Sequence, residues 1–161
     1  MIMKYLLKPN SRRMQTRGMV SALLLVSVTL FGQGDPYLAG RASMEQGKYE
    51  LAVHHLETAL DVTPGETEIL YHLGLACFAM QNFPAARDAF YETEKRRKGL
   101  ASFYLAKTEV KLNHPEQALK YLRVHLSSRY KVAEDVILLD EDLSSLEGFP
   151  GWQALWNERK W

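Results

Sequence analysis

Apolar residues recur along the middle of the chain with the spacing of one face of an α-helix. One such face consists of Leu70, Leu73, Gly74 and Cys77, which follow the i, i+3, i+4, i+7 rule. A second face begins at Ala86 and continues through Ala89 and Phe90. Between the two, Asn82 suits a turn and Pro84 suits the first turn of a helix. The pattern therefore predicts pairs of amphipathic helices.

These helix pairs repeat at a nearly constant interval along the chain. One step leads from Gly40 to Gly74, and a second, slightly shorter step leads from Gly74 to Ala106. The same two steps relate Ala52, Ala86 and Ala118, and likewise Leu56, Phe90 and Leu122. Small residues at fixed positions let neighbouring helices approach closely, while the large ones fill the space between them. A single helix pair cannot bury its apolar face, so we expect three pairs to stack.

The repeated residues resemble the tetratricopeptide repeat. The second unit is the most similar, with Leu70-Tyr71-x-Leu73-Gly74 followed by Phe83-Pro84-x-Ala86 and Phe90. The resemblance covers about residues 35–130. It implies an all-α fold, a right-handed superhelical solenoid of helix-turn-helix repeats at about 35–66, 67–98 and 99–130.

The segment 131–161 no longer follows the period. Its residues resemble the short C-terminal helices that often end tetratricopeptide arrays in bacterial proteins. Trp152, Leu155 and Trp156 fall on one helical face. We therefore expect residues 131–161 to cap the end of the solenoid.

The N-terminal segment 1–34 has the pattern of an export signal. Its five basic residues, with no acidic one, precede the apolar stretch 19–31, which Gly32-Gln33-Gly34 follows. This pattern predicts a signal peptide, or an N-terminal anchor if it is retained. The stretch is short for a permanent membrane span. Either outcome predicts a periplasmic location for residues 35–161, which we call the body of the chain. Translation can start at Met1 or at Met14.

The charge of the chain disfavours one class of partner, and its cysteine content excludes one kind of covalent link. The N-terminal segment holds five of the 20 basic residues and none of the 19 acidic ones, so residues 35–161 carry 15 basic and 19 acidic residues. A net charge of −4 on the body disfavours nucleic acid as a partner. Cys77 is the only cysteine, which excludes an intramolecular disulfide.

The resemblance implies that the first helix of each repeat lines a concave surface that holds a partner. The side chains expected there combine aromatic rings with three cations, which suits an extended peptide or a partner helix. We call them the predicted groove residues: Tyr37, Arg41, Met44, Tyr71, Leu75, Phe78, Phe103, Lys107 and Lys111. The alternative is that Tyr71, Phe78 and Phe103 merely support neighbouring helices.

Other polar clusters have simpler interpretations. The run Lys95-Arg96-Arg97-Lys98 is expected to be the solvated C-terminal end of a helix, where cations favour the helix dipole. Asp140-Glu141-Asp142 is expected to cap helix ends. The five histidines show no metal-binding spacing, and no nucleophile lies in a recognisable relation to a base and an acid. The sequence therefore predicts neither enzymatic activity, nor a metal, nor a cofactor.

These observations predict a non-enzymatic scaffold or adaptor of the cell envelope that binds a protein or peptide segment. The alternative is an accessory or truncated module of a larger envelope machine or enzyme, which it would contact through the tryptophan-rich C-terminal helix. Contact with a membrane is expected only through an uncleaved N-terminal segment. The partner, the pathway and the oligomeric state are not predicted.

Overall fold

The computed structural model describes residues 34–157, which form eight α-helices, one short 3₁₀ helix and no β-strand. The α-helices are α1 Pro36–Glu45, α2 Tyr49–Val62, α3 Thr67–Ala79, α4 Phe83–Arg96, α5 Ser102–Lys111, α6 Pro115–Leu126, α7 Glu134–Leu138 and α8 Pro150–Asn157, and the 3₁₀ helix is Ser144–Leu146. The described residues from Asp35 onward belong to one compact unit. The predicted export segment lies outside the described residues, apart from Gly34.

The turn inside each of the three helix pairs has the same backbone conformation. Gly47, Gln81 and Asn113 adopt positive φ angles of 70°, 60° and 62°. The amide of each bonds to a carbonyl three positions earlier at 2.9 Å, and the next amide bonds to a carbonyl five positions earlier. This pair of bonds is the Schellman motif that ends many helices. Because the three turns are related by the same two steps as Gly40, Gly74 and Ala106, the backbone confirms the repeat phase.

Each of the first two repeats brings its two helices together at a glycine. A Cβ atom added at Gly74 in α3 would lie 2.5 Å from Phe90 Cδ1 in α4. At Gly40 in α1 an added Cβ would lie 2.8 Å from Leu56 Cγ in α2. Contacts this short leave no room for a side chain unless the neighbour moves. The predicted role of Gly40 and Gly74 in close helix packing is confirmed.

The second helices contribute the centre of the core. Six of their side chains, at equivalent positions, have no solvent exposure: Ala52, Ala86, Ala118, Leu56, Phe90 and Leu122. Each helix of the repeats packs mainly on its neighbours in sequence, and α1 also contacts α3. Three buried clusters follow one another, and adjacent clusters share partly buried Val53, Leu73 and Tyr121. The repeats therefore stack as a helical solenoid, as predicted.

The connection between the second and third repeats is held by one carboxylate. Glu94 in α4 accepts hydrogen bonds from the amide of Gly99 at 2.6 Å and from the amide of Ala101 at 3.2 Å. It also accepts one from Ser102 Oγ at 2.7 Å, at the start of α5. Ala101 and Ser102 are fully buried, so these bonds satisfy polar groups that water cannot reach.

The C-terminal helices cover the last repeat. Trp152 and Leu155 of α8 join a buried cluster with Leu119 and Leu122 of α6. Gly151 permits this contact, since an added Cβ there would lie 2.7 Å from Leu119 Cδ1. The expected capping of the solenoid is therefore observed for the described part of the C-terminal segment.

Candidate partner-binding groove

The first helices α1, α3 and α5 present equivalent residues in three rows. The first row is Tyr37, Tyr71 and Phe103. The middle row is Arg41, Leu75 and Lys107, and the last row is Met44, Phe78 and Val110. The predicted groove residue Lys111 is the next residue after Val110, and it lines a cleft together with Phe78. Val110 packs against the C-terminal core, whereas Lys111 is exposed.

At the N-terminal end of the groove, Tyr37 links α1 to α3. His72 Nδ1 donates to the backbone carbonyl of Glu68 at 2.7 Å and lies 3.3 Å from Tyr37 Oη. The two rings meet edge to face with their centres 5.5 Å apart. The exposed guanidinium of Arg41 lies 6.0 Å from the centre of the Tyr37 ring. Tyr37 and Arg41 therefore combine an aromatic surface with a positive charge.

The middle of the groove is organised by Tyr104, which is absent from the predicted groove residues. Its ring stacks on Phe90 at 5.5 Å and lies edge-on to Tyr71 at 6.2 Å and to Phe78 at 6.0 Å. Phe103 lies edge-on to the same ring at 5.9 Å. The sequence signal for Tyr104 was its position beside Phe103, but a helical repeat alone cannot show that its ring bridges two repeats.

The side chain of Tyr71 is partly buried. Burial, together with the nearby Tyr104 and Glu68, raises the pKa of Tyr71 to about 12. Its ring centre lies 6.0 Å from that of Phe90 in the core. Tyr71, Phe78 and Phe103 therefore do support neighbouring helices, while each remains partly exposed. The two interpretations of these rings are compatible.

Lys107 binds the C-terminal segment as well as three aromatic rings. Its Nζ lies 2.9 Å from the nearest carboxylate oxygen of both Asp140 and Asp142. It also lies 5.6 to 5.7 Å from the ring centres of Phe78, Phe103 and Tyr104. The Lys107 side chain is only 14% exposed. Burial opposes its charge, but the hydrogen bonds to the two carboxylates raise the pKa of Lys107 above its ordinary value.

The acidic run Asp140-Glu141-Asp142 was expected to cap helix ends, which describes only part of its role. Asp140 does accept a hydrogen bond from the Asp142 amide at 3.0 Å. Its carboxylate also binds Lys107, and Asp142 binds both Lys107 and Lys111. Burial opposes the charge of Asp142, but the hydrogen bonds from Lys111 and Lys107 hold its pKa below the ordinary range. The two predicted groove cations of the third repeat are therefore already ion-paired within the chain.

These ion pairs divide the groove into an open part and a closed part. The open part lies along α1 and α3, where Arg41 is exposed and Met44, Leu75 and Phe78 are partly exposed. It borders a cleft of about 390 Å³ lined by Phe78, Ala79, Gln81, Phe83, Lys111 and Asp142. The closed part is the α5 end, where the C-terminal segment reaches Lys107.

The basic run at the end of α4 is less uniform than predicted. Lys95 and Arg96 are exposed and both bind Glu92 at 2.8 Å, as expected for a solvated helix end. Arg97 instead binds Glu68 in α3. The run is therefore tied to the first helix of its own pair as well as exposed to solvent.

Trp152 and Trp156 do not form the exposed contact surface that the alternative function requires. Trp152 is only 7% exposed, and its ring lies 5.4 Å from that of partly buried Trp156. Trp161 lies outside the described residues. Because Trp152 packs in the core, this prediction is wrong for that residue.

The structure places Cys77 in the core. Cys77 is 5% exposed, and burial raises the pKa of its thiol. Residues 34–157 contain no cluster of three histidine, cysteine or acidic side chains that could hold a metal ion. No helix within that range is long and apolar enough to span a bilayer.

Comparison with known proteins identifies the repeats. A family model described as tetratricopeptide repeat matches residues 37–102, which extend from the start of α1 to the start of α5. No curated protein matches the chain. The matched segment contains both close glycine contacts and two of the three Schellman turns. Residues 37–102 therefore match the tetratricopeptide repeat, and the described residues form an all-α helical solenoid of the kind that generally mediates protein–protein interaction.

Proposed function

We propose that this protein is a non-enzymatic scaffold that binds a segment of a partner protein along α1 and α3. The observation that carries the proposal is the row of solvent-accessible groove side chains on these two helices. Tyr37, Arg41, Leu75 and Phe78 combine aromatic, aliphatic and cationic surface within one groove. Partner-binding surfaces are enriched in aromatic residues and arginine.

The ion pairs at the α5 end give the proposed site a boundary. Lys107 is bound by Asp140 and Asp142, so a partner segment would have to displace two carboxylates to contact it. Breaking a partly buried, hydrogen-bonded ion pair is costly. We therefore place the bound segment of the partner on the first two repeats, with its end beside Phe78 and Asp142. A partner residue could enter the adjoining cleft of about 390 Å³.

Site-specific photocrosslinking in the source cells tests this proposal. A photoreactive amino acid replaces Arg41 in α1, which lies in the groove and is exposed. A matched control carries the same amino acid in place of Glu57, which is exposed on α2. We expect a discrete crosslinked protein from position 41 and none from position 57.

A second arm of the test separates groove binding from general stickiness. Leu75→Asp adds a charge to the centre of the groove, and it should abolish the crosslink from position 41 because the apolar contact is lost. The same change at exposed Leu51 in α2 should leave the crosslink intact. The groove assignment is wrong if both positions yield the same species, or if Leu75→Asp leaves the crosslink unchanged in a folded protein.

The proposed location is the periplasm, or the periplasmic side of a membrane. This rests on the basic and apolar pattern of residues 1–34. Fractionation of cells that produce the protein tests the proposal, with N-terminal sequencing of the mature form. Recovery of the protein in the cytoplasm with an intact N-terminus would contradict it.

A further inference from the structure

A second surface, distinct from the groove, concentrates positive charge between the second helices of the last two repeats. It is a cleft of about 700 Å³ formed by the end of α4, the loop that follows it, α6 and the loop after α6. We call it the cationic cleft, and its lining residues are Arg96, Arg97, Lys98, Lys120, Arg123, Val124, Ser127, Ser128, Arg129 and Tyr130.

The composition of the cationic cleft differs sharply from that of the rest of the body. Six of its ten lining residues are basic and none is acidic. Residues 35–161 carry 15 basic and 19 acidic residues, so a net-negative body places six of its cations around one cleft. Like charges held close together repel one another, and a bound anion relieves that repulsion.

Internal ion pairs neutralise only part of this charge. Arg97 binds Glu68 and Arg96 binds Glu92. Within residues 34–157, Lys98 and Lys120 make no ion pair, and both are exposed. The cleft therefore keeps an excess of positive charge from these two exposed lysines.

Two loops that meet in a close contact contribute residues to the lining of the cationic cleft. Gly99, which is buried with φ at 91°, lies against Ser128 and Tyr130, so an added Cβ would clash with the Ser128 side chain. The Arg129 guanidinium lies 4.8 Å from the centre of the Tyr130 ring, and Val124 adds apolar surface. A ligand would thus meet aromatic and aliphatic surface as well as cations.

We propose that the cationic cleft binds an acidic segment of a partner protein, one that carries several Asp or Glu side chains. Lys98 and Lys120, which make no ion pair within residues 34–157, offer their ammonium groups to such carboxylates, and the neighbouring arginines add to the positive potential of the cleft. The volume suits a few side chains of an extended segment rather than a whole domain surface. Because the family binds proteins and peptides, the cleft adds a second, charge-selective contact to the groove. This inference does not depend on the groove assignment.

Fluorescence anisotropy with a dye-labelled peptide of eight glutamates tests the cleft. The peptide is titrated with the protein containing all of residues 35–161. The ionic strength is held constant because salt screens contacts between charges. We expect saturable binding that weakens at least tenfold in the double variant Lys98→Glu, Lys120→Glu. A labelled peptide of eight glutamines should not bind.

A charge-matched control distinguishes binding in the cleft from an effect of the protein's net charge. The double variant Lys48→Glu, Arg87→Glu changes the protein's charge equally at positions outside the cleft. It should change the affinity less than threefold. The milder pair Lys98→Gln, Lys120→Gln provides a second test if the glutamates disturb folding, and circular dichroism with thermal melts checks each variant. Equal losses in the cleft and control variants would overturn the proposal, as would failure of the wild type to bind the glutamate peptide.

Other anions decide the class of ligand. Tripolyphosphate, phosphatidylglycerol vesicles and a single-stranded oligonucleotide are compared as competitors at the same ionic strength. We expect each to compete at least tenfold less well than the unlabelled glutamate peptide. If any of them binds equally well or more tightly, the ligand of the cleft is that class of anion and not an acidic protein segment. A dimer of the chain linked through the peptide, seen in native mass spectra, would assign the site to a second copy of the chain.

Discussion

Lys107 Nζ lies 2.9 Å from Asp140 Oδ2, which joins the first helix of the third repeat to the segment that follows the last repeat. Both side chains are only 14% exposed. Asp142 completes the arrangement from the same segment. A predicted partner-binding lysine is thus a structural link that holds the C-terminal segment against the solenoid.

Acid should weaken this link. The pKa of Asp142 is held below its ordinary value, so its carboxylate contributes stability above about pH 4, and this is lost as the pH falls through the lowered pKa. Asp142→Asn should cost about 1 kcal/mol at neutral pH and flatten the decline of melting temperature in acid. Thermal melts followed by tryptophan fluorescence measure both effects. Identical acid profiles for wild type and variant would contradict the assignment.

Overpacking at Gly74 tests the helix contact with Phe90. An added Cβ would lie 2.5 Å from the Phe90 ring, and a leucine side chain has no space to occupy. Gly74→Leu should therefore cost about 3 kcal/mol or more in the free energy of unfolding. Glu57→Leu introduces the same side chain at an exposed position of α2 and should change stability little. Urea titrations of both variants make the comparison, and similar costs would refute the repeat phase.

Glycine should improve the turn at position 81. Gln81 adopts a φ of 60°, a left-handed conformation that costs a residue with a side chain about 1 kcal/mol. Gln81→Gly should therefore be neutral or stabilise the protein by up to about 1 kcal/mol. The same change at Gln153, exposed in α8, should destabilise it by about 1 kcal/mol. Calorimetric melting curves compare the two, and a clear loss of stability in Gln81→Gly would contradict the Schellman geometry.

Removal of Glu94 should loosen the connection between the last two repeats. Its carboxylate accepts bonds from the amides of Gly99 and Ala101 and from the Ser102 hydroxyl, in three residues that are all buried. Glu94→Ala should cost about 2–3 kcal/mol because these donors lose their acceptor. Glu94→Gln keeps one acceptor oxygen and should cost less. Hydrogen exchange at residues 99–102 reports the effect directly, and unchanged protection there would disprove it.

The periodicity of small and large residues was enough to predict the helices, their pairing and the stacking of repeats. This information is local and repeated, since each helix packs on its neighbours in sequence. Gly40, Gly74, Ala86 and Phe90 occupy the positions that the repeat step assigns to them. The C-terminal cap was predictable as well, because Trp152 and Leu155 share one helical face.

The functional surfaces were only partly predictable, because they depend on contacts between residues far apart in sequence. Nothing in the local pattern links Lys107 to Asp140, or brings Lys98 and Lys120 to one cleft. Nor does the local pattern show that Lys111 lies beside Phe78 in the adjoining cleft while Val110 packs against the C-terminal core. By itself the sequence determined an all-α array of tetratricopeptide repeats. Only the tertiary structure decided which cations are paired and which face solvent, because charge pairing depends on distances that a repeat period does not encode.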